Sequence, residues 1–250
     1  AETRLERADE AARIFEILFT RVPDNETANA SLDRLYRADN AWFDLAHLFE
    51  RQHEHLLVIG EEGAAIDVLF KLGQLARNRM GDEERAVKAY VKCAELDPSY
   101  ASAIDALCAA SERNQCGTLA RKALTDAYRL TERWALLVDV LEERLAREDS
   151  GVTKALVQEE IARICLDQLD DGERAWLPAL ASFKAAHLDV DIIGRRPLLT
   201  RAGLSVNALD EVIETLLEGA KGIELNETRA SLLAEAGQDL IEGGTEGDSL

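Results

Sequence analysis

An all-α fold of stacked antiparallel helices is what this sequence predicts, and three observations predict it. Hydrophobic residues make up 47% of the chain but aromatics only 5%, so the core must come mostly from Ala and Leu, which suits closely packed helices and suits sheets poorly. Only four Pro interrupt the 250 residues, leaving long stretches free to be helical. The chain also repeats itself: WALLVDVLEERL at 134–145 echoes WFDLAHLFERQH at 42–53, with Trp134 and Trp42 92 positions apart. Self-similarity of this kind marks an array in which each unit buries its face on its neighbours. About twelve helices are expected, and no sheet.

In chain order, residues 5–22 form a helix carrying Ala11, Phe15 and Leu18, followed by Pro23. Residues 25–37 follow, with Ala28, Leu32 and Leu35-Tyr36 on one side and Asp24 or Asn25 as N-cap. Asn40 is expected to cap the next helix, in which Trp42, Leu45, Leu48 and Phe49 keep the helical period. HEHLLVIGEEG then contains the loop before the central pair. The central stretch 69–98 holds the sharpest pattern: Leu69, Leu72, Gly73 and Ala76 on one helix, Ala86, Tyr90 and Cys93 on the next, with Gly81-Asp82 between them and Asp97-Pro98 at the end. Small residues at Gly73 and Ala86 let the two helices approach closely, and Tyr90 fills the space beside them.

After Pro98 the period resumes with Tyr100, Ala103, Ile104 and Leu107, breaks at Gly117, and continues through Leu119, Ala120, Ala123, Leu124 and Ala127. From Trp134 the internal match takes over. Ile161-Ala162 echoes Leu75-Ala76, Asp170-Asp171-Gly172 echoes the Gly81-Asp82 turn, and AAHLD at 185–189 echoes CAELD at 93–97. Gly194, Pro197 and Gly203 allow only a short helix in 190–204. Ser205 is placed to cap a helix bearing Val206, Leu209, Val212-Ile213 and Leu216-Leu217, ended by Gly219 or Gly222. The last helix, 226–241, restates the central face as Leu233-x2-Ala236-Gly237. Residues 1–189 thus read as regular repeats, 190–241 as an irregular continuation, and 242–250 as a flexible tail.

The central stretch resembles the tetratricopeptide repeat (TPR) signature, L-x2-L-G in a first helix A and A-x3-Y-x2-small-x4-P across a second helix B. Leu69 stands where Trp is usual, Ala76 where Tyr is usual, and the turn carries one extra residue. The resemblance implies a TPR-like α-solenoid, helix pairs stacked into a right-handed superhelix, with A helices lining a concave groove. On the central A helix the groove side would present Asp67, Phe70, Gln74, Arg77 and Asn78, a hydrogen-bonding strip suited to an extended peptide or a partner helix. Glu160 and Arg163 are the expected equivalents in the later unit. The Lys and Asn positions of the TPR clamp for acidic C-termini are not found. The chain opens on a B-type helix and closes on an A-type one, so an excised piece or the interior of a longer repeat chain is expected.

Net charge narrows the partner classes. At −19 the surface repels phosphate backbones and acidic membranes, so no nucleic acid is expected and basic partners are the electrostatic match. No apolar run approaches the ~20 residues of a spanning helix, so no membrane insertion is expected. Cys93, Cys108, Cys116 and Cys165 form no C-x2-C pair and read as buried reduced thiols, consistent with a cytoplasmic protein.

Chemistry-bearing constellations are thin. His47, His53 and His55, with Glu50 and Glu54 among them, invite a metal site, but they lack an i, i+4 pair and read as solvated loop and helix-end histidines. There is no G-x-S-x-G elbow and no phosphate-binding glycine loop. Asp82-Glu83-Glu84 and Glu142-Glu143 read as solvated helix faces, and Trp42, Trp134 and Trp176 as core anchors. The expectation is a protein-interaction scaffold with no cofactor and no catalysis of its own. The rival readings are an all-α enzyme with an unrecognised pocket and a half-TPR type RNA-processing module.

Overall fold

The computed structural model describes residues 2–113, 116–186, 189–223 and 226–247, with side chains at 10–113, 116–186, 192–223 and 226–241. Among these residues there are thirteen α-helices and no strand. They divide into two compact units, Ala1–Thr131 and Glu132–Leu250.

The first unit contains α1 (Glu2–Arg21), α2 (Glu26–Ala38), α3 (Trp42–Val58), α4 (Glu62–Leu75) with a π-helical turn at Ala76–Met80, α5 (Glu83–Leu96), α6 (Ala101–Ser111) and α7 (Gly117–Leu130). Each helix packs on the next, and α5 also packs on α7. Short connections between packed neighbours make them antiparallel. The core is Leu with small residues: Leu32, Leu45, Leu48 and Leu107 are buried, and Ala28, Ala46, Ala65, Ala76, Ala86 and Ala103 leave no exposed surface. Each fully buried Leu contributes roughly 1.5–3 kcal/mol, while the Ala positions let helix axes come close enough to bury it.

The second unit contains α8 (Trp134–Arg147), α9 (Gly151–Asp167), α10 (Gly172–Lys184), α11 (Asp189–Ser205), α12 (Leu209–Lys221) and α13 (Asn226–Gly247). Consecutive helices pack here too, and α9, α11 and α13 form a row in which α11 touches both others. Two adjacent arginines of α11, both buried, tie that row together. Arg195 pairs with Glu159 of α9 at 3.0 Å and donates to the Ser182 carbonyl at 2.9 Å, while Arg196 pairs with Glu235 at 2.9 Å and with Asp239, both on α13. The core gathers Leu180, Phe183, Leu199, Val212, Leu216, Ile223 and Leu232.

The internal match is visible as shared side-chain geometry. Asp82 caps α5 by accepting from the Arg85 N–H at 2.9 Å, and Asp171 caps α10 by accepting from the Arg174 N–H at 2.9 Å, 89 positions later. The two arginines then reach back to the helix two before their own. Arg85 pairs with Glu50 at 2.7 Å and Arg174 with Glu142 at 2.8 Å, with Asp139 added at 2.6 Å. Both preceding turns absorb an extra residue in the same way. The Asp82 N–H reaches the Ala76 carbonyl and the Asp171 N–H the Cys165 carbonyl, six residues back, across Gly81 and Asp170 with φ of 68° and 51°. Other tight turns, such as Ala41 to Tyr36 and Ala208 to Gly203, span five, the usual closure after a left-handed residue.

Several expectations need correction. The segment 190–204 belongs to a 17-residue helix, α11, despite Gly194 and Pro197. Gly203 is required by contact, since a Cβ there would overlap Val212 and come within 3.1 Å of the Trp176 ring. Gly237, by contrast, has nothing within 4 Å of a built Cβ, so it does not reproduce the close approach of Gly73. Asn40 does not cap α3; its φ of 55° closes the preceding turn and Ala41 takes the cap position. Asn25, as expected, caps α2 by accepting from the Ala28 N–H at 2.8 Å. Ser205 ends α11, its hydroxyl donating to the Ala202 carbonyl at 2.7 Å, and α12 starts after Ala208. The loop expected within HEHLLVIGEEG is there, at Ile59–Glu61, between α3 ending at Val58 and α4 starting at Glu62. The echo at 185–189 lies partly outside the described residues; of the tail at 242–250, residues 242–247 continue α13 and 248–250 lie outside the described residues.

Candidate functional site on the outer face of α4

α4 buries Ile66, Leu69, Leu72, Gly73 and Leu75, and Ala76 continues that face into the π turn. Gly73 sets the distance to α5: a Cβ would lie 2.9 Å from Tyr90 Cδ1 and 3.0 Å from Cζ, and nearer still to Cε1. Tyr90, 3% exposed, therefore packs closely against α4 at Gly73. Its ring also meets Phe70, centroids 5.5 Å apart, and Phe70 meets Tyr100 edge-on at 5.7 Å.

Tyr100 comes from the turn before α6. Asp97 accepts from the Ser99 N–H at 2.8 Å and hydroxyl at 2.6 Å, a side-chain turn that leaves Tyr100 as the residue before the helix. From there its hydroxyl donates to Asp67 Oδ1 at 2.8 Å. Partial burial first, then the Asp67 carboxylate, push the Tyr100 phenol up to about 12. Burial also raises Tyr90, opposed by the charge and hydrogen bonding of Arg77 beside it. The structure thus brings Asp67, Phe70 and Arg77 around two tyrosines, leaves Phe70 half-buried, and exposes Gln74 and Asn78.

The π turn redirects the residues beyond Leu75. Widening the helix at Ala76–Met80 accommodates the extra residue and places the Arg79 guanidinium 5.4 Å from the Trp42 ring of α3. Tyr90 and Tyr100 are the contributors that the groove reading did not include. The Asp97-Pro98-Ser99 turn chemistry was the available signal for Tyr100.

Glu160 and Arg163 lie on α9 in the second unit, Glu160 half-buried and Arg163 exposed beside Glu159 at 2.7 Å. At the 89-residue offset fixed by the caps, Arg163 falls on Gln74, and Phe70 falls on Glu159, which is held by Arg195. No aromatic equivalent of Phe70 stands there.

His53, expected to be solvated, is buried, with Nδ1 3.0 Å from the Ala65 carbonyl, so it joins α3 to α4. His47 is exposed beside Glu50 at 3.2 Å, and His55 is half-buried. Among the described residues no group of three or more His, Cys, Asp or Glu side chains could hold a metal ion. All four cysteines are free; burial pushes the Cys93 thiol up to about 12 and Cys165 to about 11, so neither is a nucleophile near neutral pH. A cleft of about 260 Å³ between α5 and α7, lined by Val91, Ala94, Leu119 and Ala123 among others, has no Ser, Cys or His in its wall. No helix is long and apolar enough to cross a membrane among the residues described.

No protein-family model matches the chain, and no curated protein matches it. Among solved structures, the chain is similar to the crystal structure of yeast Tom70, with 14% identity and a TM-score of 0.31 over 95% of this chain. The match covers 59% of the Tom70 chain, so the present sequence spans less than two thirds of that protein's length.

Proposed function

We propose that this TPR-like stack of helices is a protein-interaction scaffold without catalysis of its own, and that the outer face of α4 takes an extended peptide or a partner helix. Asp67, Phe70, Gln74, Arg77 and Asn78 are the contact residues, with Glu160 and Arg163 as a secondary contact in the second unit. One observation carries the reading: the half-exposed Phe70 ring is held between Tyr90 and Tyr100 while Tyr100 fixes the exposed Asp67 carboxylate. A rigid aromatic beside a positioned acceptor loses little side-chain entropy on binding, which is what makes such residues effective anchors. The net charge of −19 favours a basic partner and opposes nucleic acid.

The test is affinity capture with the folded chain as bait, followed by Phe70→Ala and Arg77→Ala baits of unchanged helix content. A specific partner should be lost from the Phe70→Ala bait and reduced with Arg77→Ala. Retention of that partner at wild-type levels by both variants removes these residues from the binding surface.

A further inference from the structure

α12 carries more apolar surface than its packing uses. Val212, Leu216 and Ala220 face the core and are at most 3% exposed, whereas Leu209, Ile213 and Leu217 are 37%, 44% and 48% exposed. These three sit at i, i+4 and i+8, one line about 12 Å long on a helix. Asp210, Glu214 and Glu218 repeat the same spacing one residue on, so a row of exposed carboxylates runs beside the apolar line. None of the three carboxylates forms a salt bridge among the described residues. Lys221 is the basic residue on this helix.

We propose that this ridge docks a basic amphipathic helix of a partner protein. An exposed apolar line of large side chains on a folded helix fits the facing stripe of another helix, where i, i+3/i+4 and i+7 side chains interdigitate. The carboxylate row selects the sign of the partner's flanking residues. Charge also decides between occupants. From Glu132 onward the chain has 25 acidic against 12 basic residues, a net of −13 within the −19 total, so a second copy or an anionic membrane would meet like charge. A helix with Lys or Arg beside its apolar stripe meets the opposite charge. The apolar contacts hold the complex, and the exposed ion pairs add little affinity but steer association and make it salt-dependent. The ridge lies on a different unit from the α4 face and stands independently of the function assigned to that face.

The experiment uses the full chain and a fluorescent synthetic peptide of Leu and Lys in amphipathic helical register, with a scramble of equal composition as control. Fluorescence anisotropy should show the amphipathic peptide binding about tenfold or more tighter than the scramble, with affinity falling as salt rises. Ile213→Ser with Leu217→Ser should weaken it about tenfold. Asp210→Asn with Glu214→Gln and Glu218→Gln should flatten the salt dependence. Val152→Ser with Leu156→Ser, an exposed apolar pair on α9, should leave binding unchanged. Should the Ile213/Leu217 variant lose helix content, the carboxylate variant, which alters no core contact, carries the test. Equal binding of the scramble, wild-type binding by the folded ridge variants, or equal loss in the α9 control overturns the proposal. So does sedimentation showing that the ridge variants abolish self-association instead.

Discussion

Replacing Gly73 with Ala should destabilise the protein even though Ala is the better helix former. In an open helical position the change stabilises by about 1 kcal/mol. At Gly73 the new methyl would enter the Tyr90 ring, with Cδ1 at 2.9 Å and Cζ at 3.0 Å and Cε1 closer. The ring has little freedom to retreat, because Tyr90 is 3% exposed and packs at a tilt against Phe70. Overpacking of this kind costs roughly 1–3 kcal/mol, so the net effect is a loss of up to about 2 kcal/mol once the propensity gain is subtracted. Urea unfolding followed by circular dichroism measures it. A double-mutant cycle isolates the cause: in a Tyr90→Leu background, with the ring gone, the penalty should vanish and the helix-propensity gain emerge. Gly237→Ala is the matched control, since nothing lies within 4 Å of its Cβ; it should stabilise. A stabilising Gly73→Ala, or a penalty that survives Tyr90→Leu, would refute the close approach as the reason for this glycine.

Asp82→Ala and Asp171→Ala should each cost about 1 kcal/mol by loss of an N-cap, read as lowered urea midpoints; a silent Asp171→Ala would break the equivalence of the two turns. Cys93 and Cys165, raised from 9.0 to about 12 and about 11 by burial, should resist a thiol reagent at mildly alkaline pH until urea unfolds the chain, and prompt native labelling would contradict their placement. Tyr100, raised from 10.0 to about 12, favours the folded state while protonated. Its contribution is full below pH ~10 and disappears as pH rises through ~12. Ultraviolet titration should show Asp67→Asn moving this phenol back toward its ordinary value, and an unmoved titration would remove Asp67 as a cause.

The pair α4 and α5 was legible because its reasons are local and redundant: Gly73, Ala86 and Tyr90 at fixed spacing, an Asp cap, and a Pro after the end. α11 was not, because Gly194, Pro197 and Gly203 each weaken an isolated helix, whereas burial of Leu198, Leu199 and Ala202 and contact at Gly203 override that weakness. Propensity gave way to packing. Asn40 and Ser205 show a different failure, since both types suit several positions around a helix end, and only the turn geometry decides among them. At the site, helical spacing placed Asp67 and Phe70 on one face, but Tyr100 lies across an inter-helix turn that spacing alone does not fold. The burial of His53 escapes sequence reading for a similar reason: its partner, the Ala65 carbonyl, is supplied by the following helix.

The two adjacent arginines of α11 have a consequence for how the second unit comes apart. Arg195 holds α9 and Arg196 holds α13, so one turn of one helix anchors neighbours on both sides. If α13 peeled away alone, Arg196, now 9% exposed, would lose both carboxylates and the charge-assisted hydrogen bonds to them. Glu235 and Asp239 are themselves 51% and 36% exposed, so the loss is on the order of 1 kcal/mol, less than for a fully buried pair. Fraying of the last helix therefore carries an added cost, and paired charges couple the three helices within an architecture whose other contacts run mostly between neighbours.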